Sequence, residues 1–228
     1  MENKVNISIN ALSKNIKKVT ILDDISMELE GGKIYGLKGK NGSGKTMLMR
    51  AICGLIIPTS GTISINGELL GKDISFPRSA GILIENPAFI SNYTGMKNLQ
   101  VLASIQKRIG DADIRKTLED VGLNPDDKRT YKKYSLGMKQ RLGIAGAIME
   151  KPDVVILDEP INALDESGAL QVREILSELK LNGSVIILAC HDAEELEFLS
   201  DEIFTISEGK LIGHNVLEDK KVAEEILV

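Results

Sequence analysis

The sequence has few features of an exported or membrane-embedded protein. It contains only two cysteines, Cys53 and Cys190, and both lie among apolar residues. Two such thiols favour buried cysteines in a reducing cytoplasm over a disulfide framework. No apolar run approaches the roughly 18 residues that a membrane span needs. Because Met1-Glu2-Asn3-Lys4 leads into no apolar segment, we also expect no signal peptide.

An excess of positive charge is also missing. The 228 residues carry 28 lysines and arginines against 33 aspartates and glutamates, a net charge of −5. Bulk electrostatics therefore argue against a nucleic-acid partner. The basic cluster at 128–133 is typical of a solvated loop face. An anionic ligand would have to be bound by local geometry.

Eight consecutive residues supply such geometry. Gly39-Lys40-Asn41-Gly42-Ser43-Gly44-Lys45-Thr46 fit the phosphate-binding pattern G-x-x-x-x-G-K-[ST], between a short apolar strand and a helix. Glycines let backbone N–H groups approach phosphates, and a helix N-terminus favours an anion. Lys45 adds charge for the β- and γ-phosphates, and the Thr46 hydroxyl can hold Mg²⁺. The alternative is a glycine-rich turn without a ligand.

A second stretch places two carboxylates at the end of an apolar strand. Residues 154–157 are all apolar, and Asp158 and Glu159 follow directly. The carboxyl ends of strands are where open α/β sheets bind ligands. We predict that Asp158 orients Mg²⁺ and that Glu159 acts as a general base. The alternative is a solvated strand end.

A third stretch, from Tyr134 to Arg141, reads as the start of a long helix. Ser135 is a typical N-cap, and Gly137 lies in the first turn. This arrangement leaves Ser135 and nearby N–H groups available to an anion. Alone, it would be an ordinary helix cap.

The pattern of the whole chain predicts an α/β fold. Early strands alternate apolar and polar residues, which is typical of an antiparallel layer, and 66–67 predicts a hairpin turn. The core is expected from 1–85 and 150–228, with a helical subdomain at about 88–149, all within one domain spanning 1–228. Thr94, Asp111 and Ser135 are the predicted caps of its helices. A weak amphipathic helix is expected over 218–227.

Together, these stretches resemble the ATP-binding subunits of ATP-binding-cassette (ABC) transporters over nearly the whole chain. The family's motifs occur in the expected order: the phosphate loop, Glu85 at the glutamine-loop position, the signature from Ser135, the acidic strand, the D-loop at 162–165 and the switch histidine His191. The resemblance implies a P-loop NTPase fold of the ABC ATPase type. This fold has a mixed core sheet, an antiparallel β layer and a helical subdomain.

The resemblance also implies how the chain works. ATP would lie between two such domains arranged head to tail, with Ser135 and Gly137 of one facing the phosphate loop of the other. Glu159 would act as the base, with Lys45 and His191 contacting the γ-phosphate. A homodimer, or a heterodimer with a sister subunit, would drive a membrane-spanning permease from the inner face of the cell membrane. Residues 86–98 of this chain would form the surface that contacts the permease.

Two positions depart from the family pattern. Glu85 replaces a glutamine that would help to ligate Mg²⁺, and we predict that it is a metal-linked coupling residue. Ile16 stands where an aromatic residue usually stacks on adenine, and no aromatic precedes Tyr35. We therefore expect adenine to be held by apolar contact, with weak base discrimination.

The motif details resemble one branch of the family in particular. The I-E-x-P sequence around Glu85 and the Y-S-x-G-M-K-Q-R signature are similar to those of bacitracin-resistance and lantibiotic-immunity ATPases. This similarity implies export of an antibiotic peptide or drug. The alternatives are a soluble ABC ATPase acting on ribosomes or DNA and a P-loop kinase for a small molecule. The kinase does not explain the signature stretch.

Overall fold

The computed structural model describes residues 5–190 and 192–217, and these form two sheets flanked by helices. His191 and the predicted helix at 218–227 lie outside the described residues. The elements in chain order are β1 (Asn6–Ile16), β2 (Val19–Glu30), β3 (Lys33–Lys38), α1 (Lys45–Ile52), β4 (Ser60–Ile65), β5 (Glu68–Leu69), β6 (Ala80–Leu83), α2 (Gly95–Gln106), α3 (Asp111–Asp120), a 3₁₀ turn (Tyr131–Lys133), α4 (Leu136–Ile148), β7 (Val154–Asp158), α5 (Glu166–Leu181), β8 (Val185–Ala189), α6 (Ala193–Leu199), β9 (Glu202–Ser207) and β10 (Lys210–Val216).

The larger sheet has six strands in the order β10-β9-β3-β8-β7-β6. Five of them run parallel, and β10 pairs antiparallel with β9. The first four residues of β7 and all five of β8 are buried, because this sheet is covered on both faces. Such strands read as continuous apolar runs, which is the pattern that predicted β7.

The smaller sheet is antiparallel, in the order β2-β1-β4-β5, and forms the predicted antiparallel layer. Its apolar side chains, such as Ile7 and Ile9, pack with α1 against one face of the larger sheet. Asn66 and Gly67 connect β4 to β5 with φ values of 53° and 82°, so the predicted hairpin is confirmed. A second apolar core lies on the opposite face, under the helices.

The helices α2, α3 and α4 all lie between β6 and β7 in the chain. The predicted caps Thr94 and Ser135 are confirmed, since each hydroxyl accepts a backbone N–H bond at 3.2 Å. The prediction for Asp111 is wrong. Gly110 is the N-cap, and Asp113 accepts its N–H at 3.0 Å, so Asp111 becomes the first helical residue. None of the helices in the described part of the chain combines the length and apolarity needed to cross a membrane.

A buried carboxylate ties the last two strands to β3. Glu202 accepts a hydrogen bond from Lys33 at 2.8 Å and lies 2.7 Å from the ring nitrogen Nε2 of His214. The His214 ring stacks on Phe204 with a centroid separation of 4.2 Å. Burial raises the pKa of Glu202, but the hydrogen bonds from Lys33 and His214 outweigh it and hold the pKa below its usual value. His214 thus has a structural role.

Candidate active site

The segment between β3 and α1 forms one wall of a cavity of about 420 Å³. The opposite wall comes from the end of β7, because β7 runs parallel to β3 with only β8 between them. The residues lining the cavity are Ile21, Asn41, Gly42, Ser43, Gly44, Lys45, Thr46, Met47, Asp158 and Glu159. The two stretches that the sequence identified separately therefore meet at one site.

Two glycines give the loop its shape. Gly44 is the N-cap of α1 and adopts φ = 112°, a conformation that L-residues rarely reach. Gly39 has a different constraint, because a Cβ there would lie 2.3 Å from the carbonyl oxygen of Ile206 on β9. The loop is thus held against the sheet, with its backbone N–H groups at the start of a helix. This is the arrangement that binds phosphate.

Lys45 lies folded over this loop. Its Nζ donates to the carbonyl oxygens of Gly39, at 2.6 Å, and Lys40, at 3.2 Å, and the residue is only 6% exposed. Among the described residues, the buried hydroxyl of Ser43 has no hydrogen-bond partner. A bound phosphate would supply an acceptor for this hydroxyl and a counter-charge for Lys45. The residues present therefore fit a phosphate ligand.

Thr46 and Asp158 bring the loop and the acidic strand into contact. The Thr46 hydroxyl donates to the Asp158 carboxylate at 2.9 Å. Asp158 occupies the last position of β7, where it pairs with Ala189 of β8. A hydroxyl beside a carboxylate at a phosphate site is an oxygen donor set of the kind that Mg²⁺ prefers. The pair therefore fits a Mg²⁺ ion shared with a phosphate.

Glu159 begins the turn that follows β7. Its φ of 54° is unusual for a residue with a side chain. Its N–H donates to the carbonyl of Ala189 at 2.9 Å, which anchors the start of the turn to the last pair of β7 and β8. One of its carboxylate oxygens accepts a hydrogen bond from the Asn162 amide at 3.0 Å. The carboxylate thus has a defined position at the cavity wall.

The structure gathers most of the predicted site residues but not all of them. Ser135 and Gly137 are at the start of α4 and are not among the lining residues, as expected if they serve another subunit's site. Ile16 is 41% exposed and also lies outside the lining, whereas Ile21 contributes to it. The role proposed for Ile16 in adenine binding stays a prediction.

Glu85 occupies a distinctive place. It follows β6 with φ = 63° and forms an ion pair with Arg50 of α1, in which Nη2 lies 2.6 Å from Oε1. The two side chains are 35% and 62% exposed, and neither lines the cavity. Sequence reasoning missed Arg50, because nothing in the spacing of these residues links them.

Comparison with known proteins gives the family. A family model described as ABC transporter matches residues 22–162, which is well over half of the chain. The chain belongs to the ABC transporter family. The family resemblance inferred from the motifs is confirmed, and this ABC chain is of the ATP-binding type rather than a P-loop kinase.

Curated relatives extend this result. The ABC chain is 50% identical to the uncharacterized ABC transporter ATP-binding protein YybJ of Bacillus subtilis over 88% of this chain and 92% of YybJ. It is 38% identical to the lantibiotic transport ATP-binding protein SrtF of Streptococcus pyogenes over 96% and 95% of the two chains. The bacitracin transport ATP-binding protein BcrA of Enterococcus faecalis is 42% identical over 88% of this chain and 66% of BcrA.

Solved structures confirm the fold class. The ABC chain superposes on a structure described as the ATP-binding subunit of an ABC transporter with a TM-score of 0.84, at 26% identity, over 93% of this chain and 90% of that one. It also superposes, with a TM-score of 0.85 at 20% identity, on a dimeric, post-hydrolysis structure of the cassette MJ0796 bound to ADP and Pi, over 92% and 98% of the chains. The latter likeness concerns the fold alone.

Proposed function

We propose that this protein binds and hydrolyses ATP to power export through a separate membrane subunit. One observation supports this most: the cavity between the loop at 39–46 and the carboxylates of Asp158 and Glu159. Hydrogen-bond donors for phosphate, a pair suited to a metal ion and a candidate base all line the same cavity. A binding module without hydrolysis would need the loop but not Glu159.

In this proposal the triphosphate lies across the N-terminus of α1, with Lys45 turning from its carbonyl partners to the β- and γ-phosphates. Thr46 and Asp158 would hold Mg²⁺, which would neutralise phosphate charge. Glu85 would serve as a metal-linked residue if its ion pair with Arg50 opened. The apolar side chains of Ile16 and Ile21 contact the nucleotide base.

Hydrolysis then depends on the chain's own groups. Glu159 accepts a proton from the attacking water as the water oxygen bonds to the γ-phosphorus, and the bond from phosphorus to the β–γ bridging oxygen breaks, so that ADP and phosphate leave. Lys45 and the loop N–H groups stabilise the charge on the phosphoryl oxygens. His191 contacts the γ-phosphate in the role that the family resemblance gives it.

We also propose that two ATP-binding subunits act together. Ser135 and Gly137 lie at the exposed start of α4, where Leu136 is 66% exposed. A helix N-terminus outside the cavity formed by its own loop is suited to an anion bound on another subunit. A homodimer, or a heterodimer with a sister subunit, would complete two ATP sites in this way.

The membrane partner is proposed to contact residues 86–98. Asn98 fixes this segment, because its amide accepts the Ile90 N–H at 2.8 Å and donates to the Ile90 carbonyl at 3.2 Å. Ile90 and Tyr93 remain 46% and 38% exposed. A rigid backbone that presents apolar side chains is suited to a helix of a membrane protein at the inner face of the membrane.

The proposed cargo is a peptide antibiotic or similar drug. The names of BcrA and SrtF refer to bacitracin and lantibiotic transport, and both proteins are close in sequence to this chain. The cargo site itself would belong to the membrane subunit.

ATP hydrolysis by the purified chain tests the central proposal. We expect Mg²⁺-dependent phosphate release by the wild type and a loss of about 10²-fold or more in Glu159→Gln, with ATP still bound. Equal rates for the two proteins would contradict the role of Glu159.

Co-purification from membranes with a multi-span protein tests the transporter role. Ile90→Glu is expected to weaken this co-purification. Gln106→Glu, on an exposed position of α2, is the control.

A further inference from the structure

The side chain of Gln140 reaches from α4 to the turn that carries Glu159. Its Nε2 donates to two successive carbonyl oxygens, Glu159 at 3.0 Å and Pro160 at 3.1 Å. An amide NH₂ group has two hydrogens, and both are used on this turn. The carbonyl side of Glu159 is therefore fixed by α4, while its N–H is fixed by Ala189 of β8.

The backbone of Glu159 needs such support. A non-glycine residue at φ = 54° is strained and persists only where its surroundings over-determine it. The left-handed conformation turns the chain sharply at the end of β7, which sets the direction of the side chain. The strand pairing and the Asn162 contacts also hold this conformation, and the Gln140 contacts add two hydrogen bonds on its carbonyl side.

Neighbouring contacts show that α4 and this turn are packed as a unit. A Cβ on Gly137 would lie 2.8 Å from the carbonyl oxygen of Ala163, so the two backbones approach closely. Arg141, the residue after Gln140, pairs with Asp165 at 2.8 Å. The first two turns of α4 thus contact the β7–α5 connection along most of its length.

We infer that Gln140 is a positioning residue for Glu159: its two hydrogen bonds hold the backbone turn that aims the catalytic carboxylate. Gln140 does not line the cavity, so it acts through Glu159 rather than on ATP. The inference rests on the proposed role of Glu159 in hydrolysis. It adds that the helix carrying Ser135 also sets the geometry of the base in its own chain.

The test uses the full-length chain and the variants Gln140→Met and Gln140→Glu. Methionine keeps the length and removes the donors, whereas glutamate removes them and also places a carboxylate opposite two carbonyl oxygens. Because a displacement of about 1 Å at a reacting group can cost about 10²-fold, we expect kcat to fall about 10- to 100-fold. KM and the equilibrium affinity for ATP should stay within twofold, since the loop is untouched. Gln106→Glu, an exposed residue of α2, is the matched control.

A double-mutant cycle separates positioning from general damage. In a Glu159→Gln background the carboxylate no longer acts as a base, so Gln140→Met should lower the residual rate by less than twofold. The inference is overturned if Gln140→Met keeps the wild-type kcat, if its loss is equally large without the Glu159 carboxylate, or if the loss is confined to KM. Absence of hydrolysis by the wild type would instead contradict the proposed function.

Discussion

The ion pair between Arg50 and Glu85 allows the proposed link of Glu85 to the metal to be tested with two substitutions. Glu85→Gln removes the carboxylate. Arg50→Gln leaves the carboxylate in place but removes the partner that holds it 2.6 Å away on α1. If Glu85 joins the metal when the pair opens, these changes act in opposite directions. Glu85→Gln removes a ligand and so weakens Mg²⁺ binding. Arg50→Gln makes the Glu85 carboxylate available to the metal and so strengthens Mg²⁺ binding.

The size of the effect follows from the exposure of the pair. With side chains 35% and 62% exposed, solvent screens the attraction, and about 0.5 to 1 kcal/mol is a reasonable value for opening the pair. At 1.4 kcal/mol per tenfold, this is about two- to fivefold in an equilibrium constant. The same energy would change the melting temperature of a chain this size by about 1 to 4 °C.

The assay is ATP hydrolysis at saturating ATP with Mg²⁺ varied, at fixed ionic strength, together with thermal unfolding. Arg50→Gln should lower the half-saturating Mg²⁺ concentration by about two- to fivefold. Glu85→Gln should raise it, and to the same final concentration with or without Arg50, because Arg50 acts only through Glu85. Glu174→Gln on the exposed face of α5 provides the charge-matched control. Shifts in the same direction for both variants, or unchanged Mg²⁺ dependence in Glu85→Gln, would refute the link to the metal.

Three further predictions concern other parts of the molecule. Gly39→Ala should weaken ATP binding about tenfold or more by calorimetry, because its Cβ would lie 2.3 Å from a backbone carbonyl oxygen, whereas Gly110→Ala, with open space around the Cβ, should not. Ile16→Tyr should tighten ATP binding about two- to tenfold by adding an aromatic stack, and a strong ATP-over-GTP preference in the wild type would contradict the expected weak discrimination. Since the folded-state pKa of Glu202 is lowered, its stabilisation should be present above pH 4.5 and disappear as the pH falls through the folded pKa. The difference in free energy of unfolding between wild type and Glu202→Gln should therefore shrink on acidification, and a pH-independent difference would contradict this.

Local patterns predicted the elements well. The sequence pattern predicts a strand at 185–189, and β8 has these bounds within the apolar run 185–190, because both faces of the sheet are covered and every side chain must be apolar. The sequence pattern predicts a helix over about 166–179, whereas α5 runs two residues further, to Leu181, which is 85% exposed. Apolar periodicity cannot place such an exposed end. At Asp111 the preference for an acidic cap was misleading, because Gly110 adopts the extended cap conformation and Asp113 accepts its N–H.

The site was predictable to the extent that its chemistry is local. The loop at 39–46 and the Asp158-Glu159 pair each carry their own signal, and the parallel sheet brings them together. The pairing of Arg50 with Glu85 and the reach of Gln140 to Glu159 depend on how helices rotate on the sheet, which spacing does not encode. Similarly, nothing in the local pattern around Ile21 indicates that it lines the cavity.

The path of the chain between β6 and β7 has a consequence for protein engineering. These strands are hydrogen-bonded neighbours, with Leu83 opposite Leu157, so residues 84–153 leave the sheet and return beside their point of departure. A chimera that exchanges this segment between relatives would therefore preserve every strand pair of both sheets. The exchanged segment packs tightly against β6, because a Cβ on Gly81 would lie 1.8 Å from the carbonyl oxygen of Ala147 on α4. Grafts should succeed only when the recipient keeps a glycine at that point, and a successful graft would transfer the surface proposed to contact the permease together with the helix proposed to position Glu159.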